Sequence, residues 1–427
     1  MKKKLVGLFM VIALHAHAQD TTSLSLLFLG DIMGHASQIT SAFDPVTKRY
    51  DYKPCFELVK PYIQGADVAI GNLELTLAGP PYTGYPQFCS PDALAVALKD
   101  AGLDVLVTAN NHCVDKGRRG LERTNKILDS LAIPHTGTFK NTEEKKQLHP
   151  LLIERHGFRL ALLNYTFSTN GLPVPSPNMV NMMDTAVMRK DIQSAKGLNP
   201  DMIIVFTHWG VEYERLPNAW LRAITKHCFK HGAGLVIGAH PHVIQPMEWD
   251  QDKNQLITYS LGNFVSGQRK RFTDGGAMIR INLKKVVSPD TSYTRIDDAG
   301  YILEWVYKSN DARQKFVVVP AATGERDTMV MADPASRSAF RSFLRDSREL
   351  LGKHNRAIPE WKSAPHHYLI YSGVAPAGIL PDDQLQQSRE DGTSVAGPFT
   401  MEDATFLAER LTRLGMVIKE VSTSRNP

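Results

Sequence analysis

The sequence predicts an α/β fold: a layered domain over residues 19–332, a helix and linker over 333–365, and a small α+β segment over 366–427. Three observations lead there. From Ser23 to about Leu283, short apolar runs alternate with amphipathic stretches at helical spacing, which argues for layered sheet and helix rather than separate α and β parts. Five of the apolar runs end in a polar cluster of metal-ligating residue types, the place where open α/β sheets carry their sites. Beyond about residue 284 the pattern turns to strands and polar turns, then to a charged amphipathic helix from Pro334 to Leu351.

At the N-terminus, Lys2, Lys3 and Lys4 precede the apolar run Leu5 to Leu14 and the small-residue site Ala16-His17-Ala18. This is the pattern of a secretory signal peptide over residues 1–18, so an exported, periplasmic or envelope-associated protein is expected; a retained N-terminal anchor is the other reading. No cysteine lies near the cleavage point, which argues against the lipoprotein route. Without residues 1–18 the chain loses three lysines and no acids, and its formal charge falls from +5 to +2. That balance predicts no nucleic-acid partner. The four cysteines, Cys55, Cys89, Cys113 and Cys228, are too scattered for a zinc knuckle; either Cys55 bridges Cys89 or all are buried thiols.

Strands are expected at Leu24–Leu29, Asp67–Ile70, Asp104–Thr108, Arg159–Tyr165, Met202–Phe206, Leu235–Ile237, Leu256–Leu261, Tyr301–Tyr307 and Lys315–Val319. Helices are expected at Cys55–Ile63, Pro91–Ala101, Gly120–Leu131, Thr185–Ala195 and Ala219–His231. The second places Ala93, Leu94, Ala97 and Leu98 on one face and stops at Gly102. Gly352 to Pro365, with its prolines and charges, reads as a linker.

The polar clusters carry the chemistry. Asp31 follows the first strand between small residues, and a carboxylate there suits a hard divalent cation. His35 is either a further ligand or a histidine facing solvent or substrate. Glu74, in Gly71-Asn72-Leu73-Glu74, is the candidate bridge between two cations, whose mutual repulsion a shared carboxylate offsets. Asn72 either binds substrate oxygen or caps the turn. In Asn110-Asn111-His112, Asn111 offers a neutral amide oxygen to a metal, and His112 suits a general acid because imidazole titrates near neutrality. Asp115 either orients His112 or caps the next helix. His208, before Trp209, and the pair His240 and His242 complete the donor set, the pair being spaced to address two metals. Mixed nitrogen and oxygen donors suit two divalent ions, manganese, iron or zinc, which would activate water and clamp an oxyanion while His112 protonates the leaving oxygen.

These motifs, with Tyr259-Ser260-Leu261-Gly262-Asn263-Phe264, resemble in order those of the bacterial capsule-synthesis CapA family, the poly-γ-glutamate capsule proteins of the calcineurin-like metallophosphoesterase superfamily. The resemblance runs from about Leu27 to Phe264. It implies a four-layer α/β/β/α metallophosphoesterase-like sandwich with a dinuclear site between its sheets. It also implies metal positions at Asp31, Glu74, Asn111, His208, His240 and His242, and a catalytic histidine at His112. The chain departs from the wider superfamily twice: Asp31-Ile32-Met33 stands where Asp-x-His is usual, and Glu74 stands where the bridging aspartate is usual.

The segment from Tyr368 to Val421, with Val395 to Thr400 before Ala404, Leu407, Ala408 and Leu411, resembles a reduced SPOR-like peptidoglycan-binding module; a structural extension is the alternative. Arg269-Lys270-Arg271 is either a solvated loop or, at the cleft mouth, a lure for a polyanion. Two functions follow. One is an exported metal-dependent hydrolase acting on a phosphoester or anionic polymer in envelope polymer metabolism, with membrane-bound capsule synthesis proteins as partners. The other is a non-catalytic protein that binds an anionic polymer during export.

Overall fold

In a computed structural model the described residues are 20–288, 291–311 and 315–361, together with the C-terminal stretches 367–372, 385–388, 393–399, 407–408, 411–412 and 416–422. The leader over residues 1–18 lies outside them. Two sheets form the body of the main domain. The larger takes β1 (Asp20–Ile32), β2 (Val68–Leu73), β3 (Val105–Val107) and β4 (His135–Thr136) in parallel. Its other half is antiparallel and belongs to later chain: β12 (Gly275–Ser288), β13 (Thr291–Lys308) and β14 (Phe316–Pro320), with short β11 (Asn263–Val265) parallel to the end of β1. The spatial order is β14-β13-β12-β1-β2-β3-β4.

The second sheet runs β9-β10-β8-β7-β6-β5. Its parallel centre is β6 (Phe158–Thr166), β7 (Met202–His208), β8 (Leu235–Ala239) and β10 (Gln255–Thr258), edged by antiparallel β5 (Leu151–Arg155) and β9 (Met247–Asp250). Strand alternation makes the layers. Leu24, Leu26 and Phe28 of β1 face Leu160, Leu162, Ile204 and Phe206 in the core between the sheets. Leu27 and Leu29 point the other way, onto Leu94 and Leu98 of α1 (Ala93–Ala101). Leu163 and Val205 point outward to Met188 and Ile192 of α3 (Thr185–Lys196) and Ile224 of α4 (Ala219–His231), while α2 (Gly117–Ser130) follows β3. The result is the α/β/β/α sandwich expected from the motifs.

Helix boundaries follow local chemistry. The Asp184 carboxylate caps α3, and the Asn218 side chain accepts the Leu221 amide at 3.0 Å at the start of α4. Gly102, at φ 105°, ends α1 where the sequence placed its stop. The single helix expected over Cys55–Ile63 is two short turns, Lys53–Phe56 and Lys60–Gln64, because Pro61 lacks an amide hydrogen and obstructs the carbonyl one turn earlier. The charged helix α5 runs from Pro334 to His354 and packs Phe340, Phe343 and Leu344 beside Trp305 in the inter-sheet core.

The stretch read as a linker is pinned down over its described part. Arg356 exchanges backbone bonds with Met247 and Trp249, Tyr301 with Pro359 and Trp361, and Arg348 pairs with Glu360 at 2.7 Å. All four cysteines are buried free thiols, so Cys55 and Cys89 are not bridged. In the C-terminal segment an antiparallel sheet runs β16 (Leu385–Ser388), β17 (Thr393–Phe399), β15 (His367–Ser372), β18 (Ile418–Ser422). Tyr371, Ala396, Leu407 and Leu411 form its small core; Ala404 lies outside the described residues. Among the described residues no helix is long and apolar enough to cross a membrane.

Candidate metal centre

Strand register assembles the site. Asp31, at the end of β1, pairs with Asn72 of β2 on one side and with Asn263 of β11 on the other. His208 ends β7 opposite Ala239, the last residue of β8, so His240 and His242 leave the second sheet beside it. Two glycines permit the close packing. A Cβ at Gly30 would strike the Gly262 carbonyl, and one at Gly238 would strike the Tyr259 carbonyl and lie 2.6 Å from the Trp209 ring nitrogen.

Two groups of donors converge there and share one residue. Asp31, Glu74 and His242 form one; Glu74, His208 and His240 form the other, each with its donor atoms within 4.8 Å of one another. Glu74 Oε1 lies 3.5 Å from His208 Nε2 and 3.9 Å from His242 Nε2. Asn111 joins the second group, its Oδ1 2.7 Å from His208 Nε2. Asp31, Glu74, His208 and His242 are all buried, and His240 is half-buried.

Neighbours fix the donors. The Asn72 amide nitrogen donates to Asp31 Oδ1 at 2.8 Å and approaches His208 Nδ1 at 3.1 Å, so its hydrogens serve donors rather than open space. His242 Nδ1 lies 3.2 Å from Asp31 Oδ2 and 3.1 Å from Asn263 Oδ1, which leaves Nε2 toward Glu74. The backbone amide of His240 points at both Asp31 oxygens at 3.3 Å. His240, at φ 100°, and His242, at φ 57°, hold left-handed conformations that cost non-glycine residues energy, a strain the site imposes on its loop.

His112 stands apart from the donor groups. Its Nδ1 hydrogen goes to Asp115 at 2.7 Å, and the same carboxylate accepts the Phe88 amide at 2.6 Å. The Phe88 ring meets the His112 ring edge-on at 4.6 Å, and the His35 ring packs on Phe88 at 5.0 Å. His35 is in neither donor group; its Nδ1 accepts the Gly267 amide at 3.2 Å, and burial pushes the ring down to about 4. Sequence reasoning gave no role to Asn110 or Asn263. Asn110 donates to the Leu73 carbonyl at 2.7 Å and accepts the His112 amide at 3.1 Å, shaping the turn between them. The signal in both was a polar amide beside a short apolar strand: Asn110 follows Val105–Val107 within three residues, and Asn263 opens Asn263–Val265.

The electrostatics match a donor set suited to a cation. Both Glu74 oxygens and His240 Nδ1 are buried without a hydrogen-bond partner, a costly state for polar groups. Burial and the neighbouring Asp31 charge push Glu74 well above its ordinary 4.5. Burial also works against Asp31, yet the His242 hydrogen bond and charge hold it below 3.8. Burial pushes His208 and His240 down to about 3. On His242 burial is outweighed by the charges of Glu74 and Asp31, which raise it to about 9. Neutral imidazoles beside orphaned carboxylate oxygens fit divalent metal ions.

The four-layer sandwich, with this candidate donor set at its strand ends, is metallophosphoesterase-like in fold. Over residues 25–268 the chain matches the bacterial capsule synthesis protein family PGA_cap, and it belongs to that family. It is 29% identical to the capsule biosynthesis protein CapA of Bacillus anthracis over 81% of each chain. It is 29% identical to the PGA biosynthesis protein CapA of Bacillus subtilis (strain 168), over 64% of this chain and 71% of that one. Among solved structures, NAD nucleotidase (NadN) of Haemophilus influenzae aligns over 81% of this chain and 65% of its own, at 11% identity and a TM-score of 0.40.

Proposed function

We propose that the protein is an exported metal-dependent hydrolase that cleaves a phosphoester or a linkage of an anionic polymer during capsule or envelope polymer metabolism. The observation that carries this reading is Glu74: a fully buried carboxylate, orphaned at both oxygens and shared by two donor groups. Asp31 and His242 would hold one divalent ion, and Asn111, His208 and His240 the other, with Glu74 between them. Ions bound there would polarise an oxyanion and make a water nucleophilic at neutral pH. Asn72 and Asn263 orient the donors. His112, fixed through Nδ1 by Asp115, presents Nε2 to protonate the leaving oxygen, and Phe88 keeps water from its flank.

Family membership and the CapA relatives support the envelope setting, the lysine-led leader supports export, and the C-terminal sheet supports a peptidoglycan-contacting segment. The membrane-bound proteins of capsule synthesis are the proposed partners. The test is metal content after purification together with hydrolysis of bis(p-nitrophenyl) phosphate in manganese, iron or zinc, with His112→Ala as control. Retained metal and His112-dependent turnover are expected. No retained metal and no turnover with any of the three would leave the non-catalytic polymer-binding role instead.

A further inference from the structure

The basic triplet in the loop between β11 and β12 is not uniform. Arg271 pairs with Asp346 of α5 at 3.1 Å, and Arg269 donates to the Gln268 carbonyl at 2.7 Å. Lys270 is exposed and, among the described residues, has no carboxylate at ion-pair distance. Its ammonium instead sits 3.7 Å from the centre of the Tyr213 ring, whose own centre lies 6.3 Å from that of His242.

This arrangement is built from both sides. The Tyr213 amide donates to the carbonyl of Pro241, between His240 and His242, at 2.8 Å, and Tyr213 holds a left-handed φ of 70°. The loop is latched by Asn263, whose amide nitrogen donates to the Thr273 carbonyl at 2.8 Å and to Gln268 Oε1 at 3.0 Å. Thr273 in turn closes on the Lys270 carbonyl through its amide at 2.9 Å and its hydroxyl at 2.8 Å. The opposite end of the Asn263 amide meets His242 at 3.1 Å. One buried side chain thus fixes a candidate ligand and the loop bearing the ammonium. Around it Arg271 and Arg345 pair with the Asp346 carboxylate and Arg215 donates to the Asp346 backbone carbonyl, while the Glu212 carboxylate lies beside Tyr213.

We propose that Lys270, seated on Tyr213, is a specificity-determining residue: it reads a second anionic group, a phosphate or a carboxylate, on a substrate whose reacting group lies at the metal centre. The inference rests on the reading of that centre given above. A cation held against an aromatic face loses little freedom when it meets an anion, and this favours a ligand charged at two points over one charged at a single point.

The test uses the full mature chain loaded with Mn(II) and calorimetric binding of three probes of matched length. Propyl phosphate carries one anionic group, propane-1,3-diyl bisphosphate a second phosphate, and 4-phosphooxybutyrate a second carboxylate. In the wild type one or both doubly charged probes should bind more tightly than propyl phosphate. Lys270→Gln should erase that preference, about a tenfold loss for one charge-assisted contact, without changing propyl phosphate binding. Lys270→Arg should restore most of it, and Arg345→Gln, which removes a nearby charge off the ring, should leave it intact. Which probe loses affinity identifies the second group. Metal-dependent binding of propyl phosphate with all affinities unaffected by Lys270→Gln would overturn the inference and spare the metal centre. Failure of every probe to bind any variant would overturn both.

Discussion

Glu74→Leu should make the metal-free protein more stable and the metal-supplemented protein less stable than wild type. In chelator both Glu74 oxygens are buried without partners, and an orphaned buried acceptor costs about 1–3 kcal/mol. Leucine has nearly the same bulk, and its altered shape costs back about 1 kcal/mol. The net gain of up to about 2 kcal/mol corresponds, at about 2–4 °C per kcal/mol for a large domain, to a rise in Tm of up to about 4–8 °C. Metal reverses the order. At a hundred times its Kd, one bound ion stabilises the wild type by about 2.7 kcal/mol, whereas the variant, stripped of the residue common to both donor groups, gains little. Differential scanning calorimetry in EDTA and in excess Mn(II) reads both arms. A variant less stable than wild type in EDTA, or one that Mn(II) stabilises equally, would refute the reasoning.

Other outcomes follow from the same geometry. His112→Ala should lower phosphodiester turnover by about 10²–10⁴-fold while metal content, read by mass spectrometry, is unchanged, because His112 touches neither donor group. In chelator the folded protein holds the His242 proton up to about 9 against an ordinary 6.5, so that stabilisation is complete below 6.5 and is lost as pH rises through 9. Urea titrations across that window should show it, and apparent metal affinity should rise over the same range as the proton ceases to compete. The four buried thiols should resist Ellman's reagent in the native protein and all titrate in denaturant; burial raises Cys55, Cys113 and Cys228 to about 12.

Much of the site was legible because its residues follow strands that declare themselves. Met202–Phe206 and Leu235–Ile237 are unbroken apolar runs, and parallel register places the histidines after both at one edge. The pairing of Asp31 with His242 was legible too, through motif order. What escaped depends on contacts without sequence periodicity. Asn263 matters because its amide spans His242 and a loop ten residues further on, and Lys270 because it meets Tyr213 from a different strand connection. The helix expected over Cys55–Ile63 failed on local chemistry, where Pro61 outweighed a favourable apolar spacing. The long pair β12 and β13 was only partly read, since Lys284, Lys285, Asp297 and Asp298 interrupt the apolar alternation on strands that run beyond the core into solvent.

The most direct measurement is a crystal structure of the mature protein grown in Mn(II) with anomalous data collected at the manganese edge. Two peaks flanking the Glu74 carboxylate are expected, one bounded by Asp31 and His242 and the other by His208, His240 and Asn111. Density for neither, or metal bound without Glu74, would contradict the dinuclear centre on which the proposed hydrolase depends.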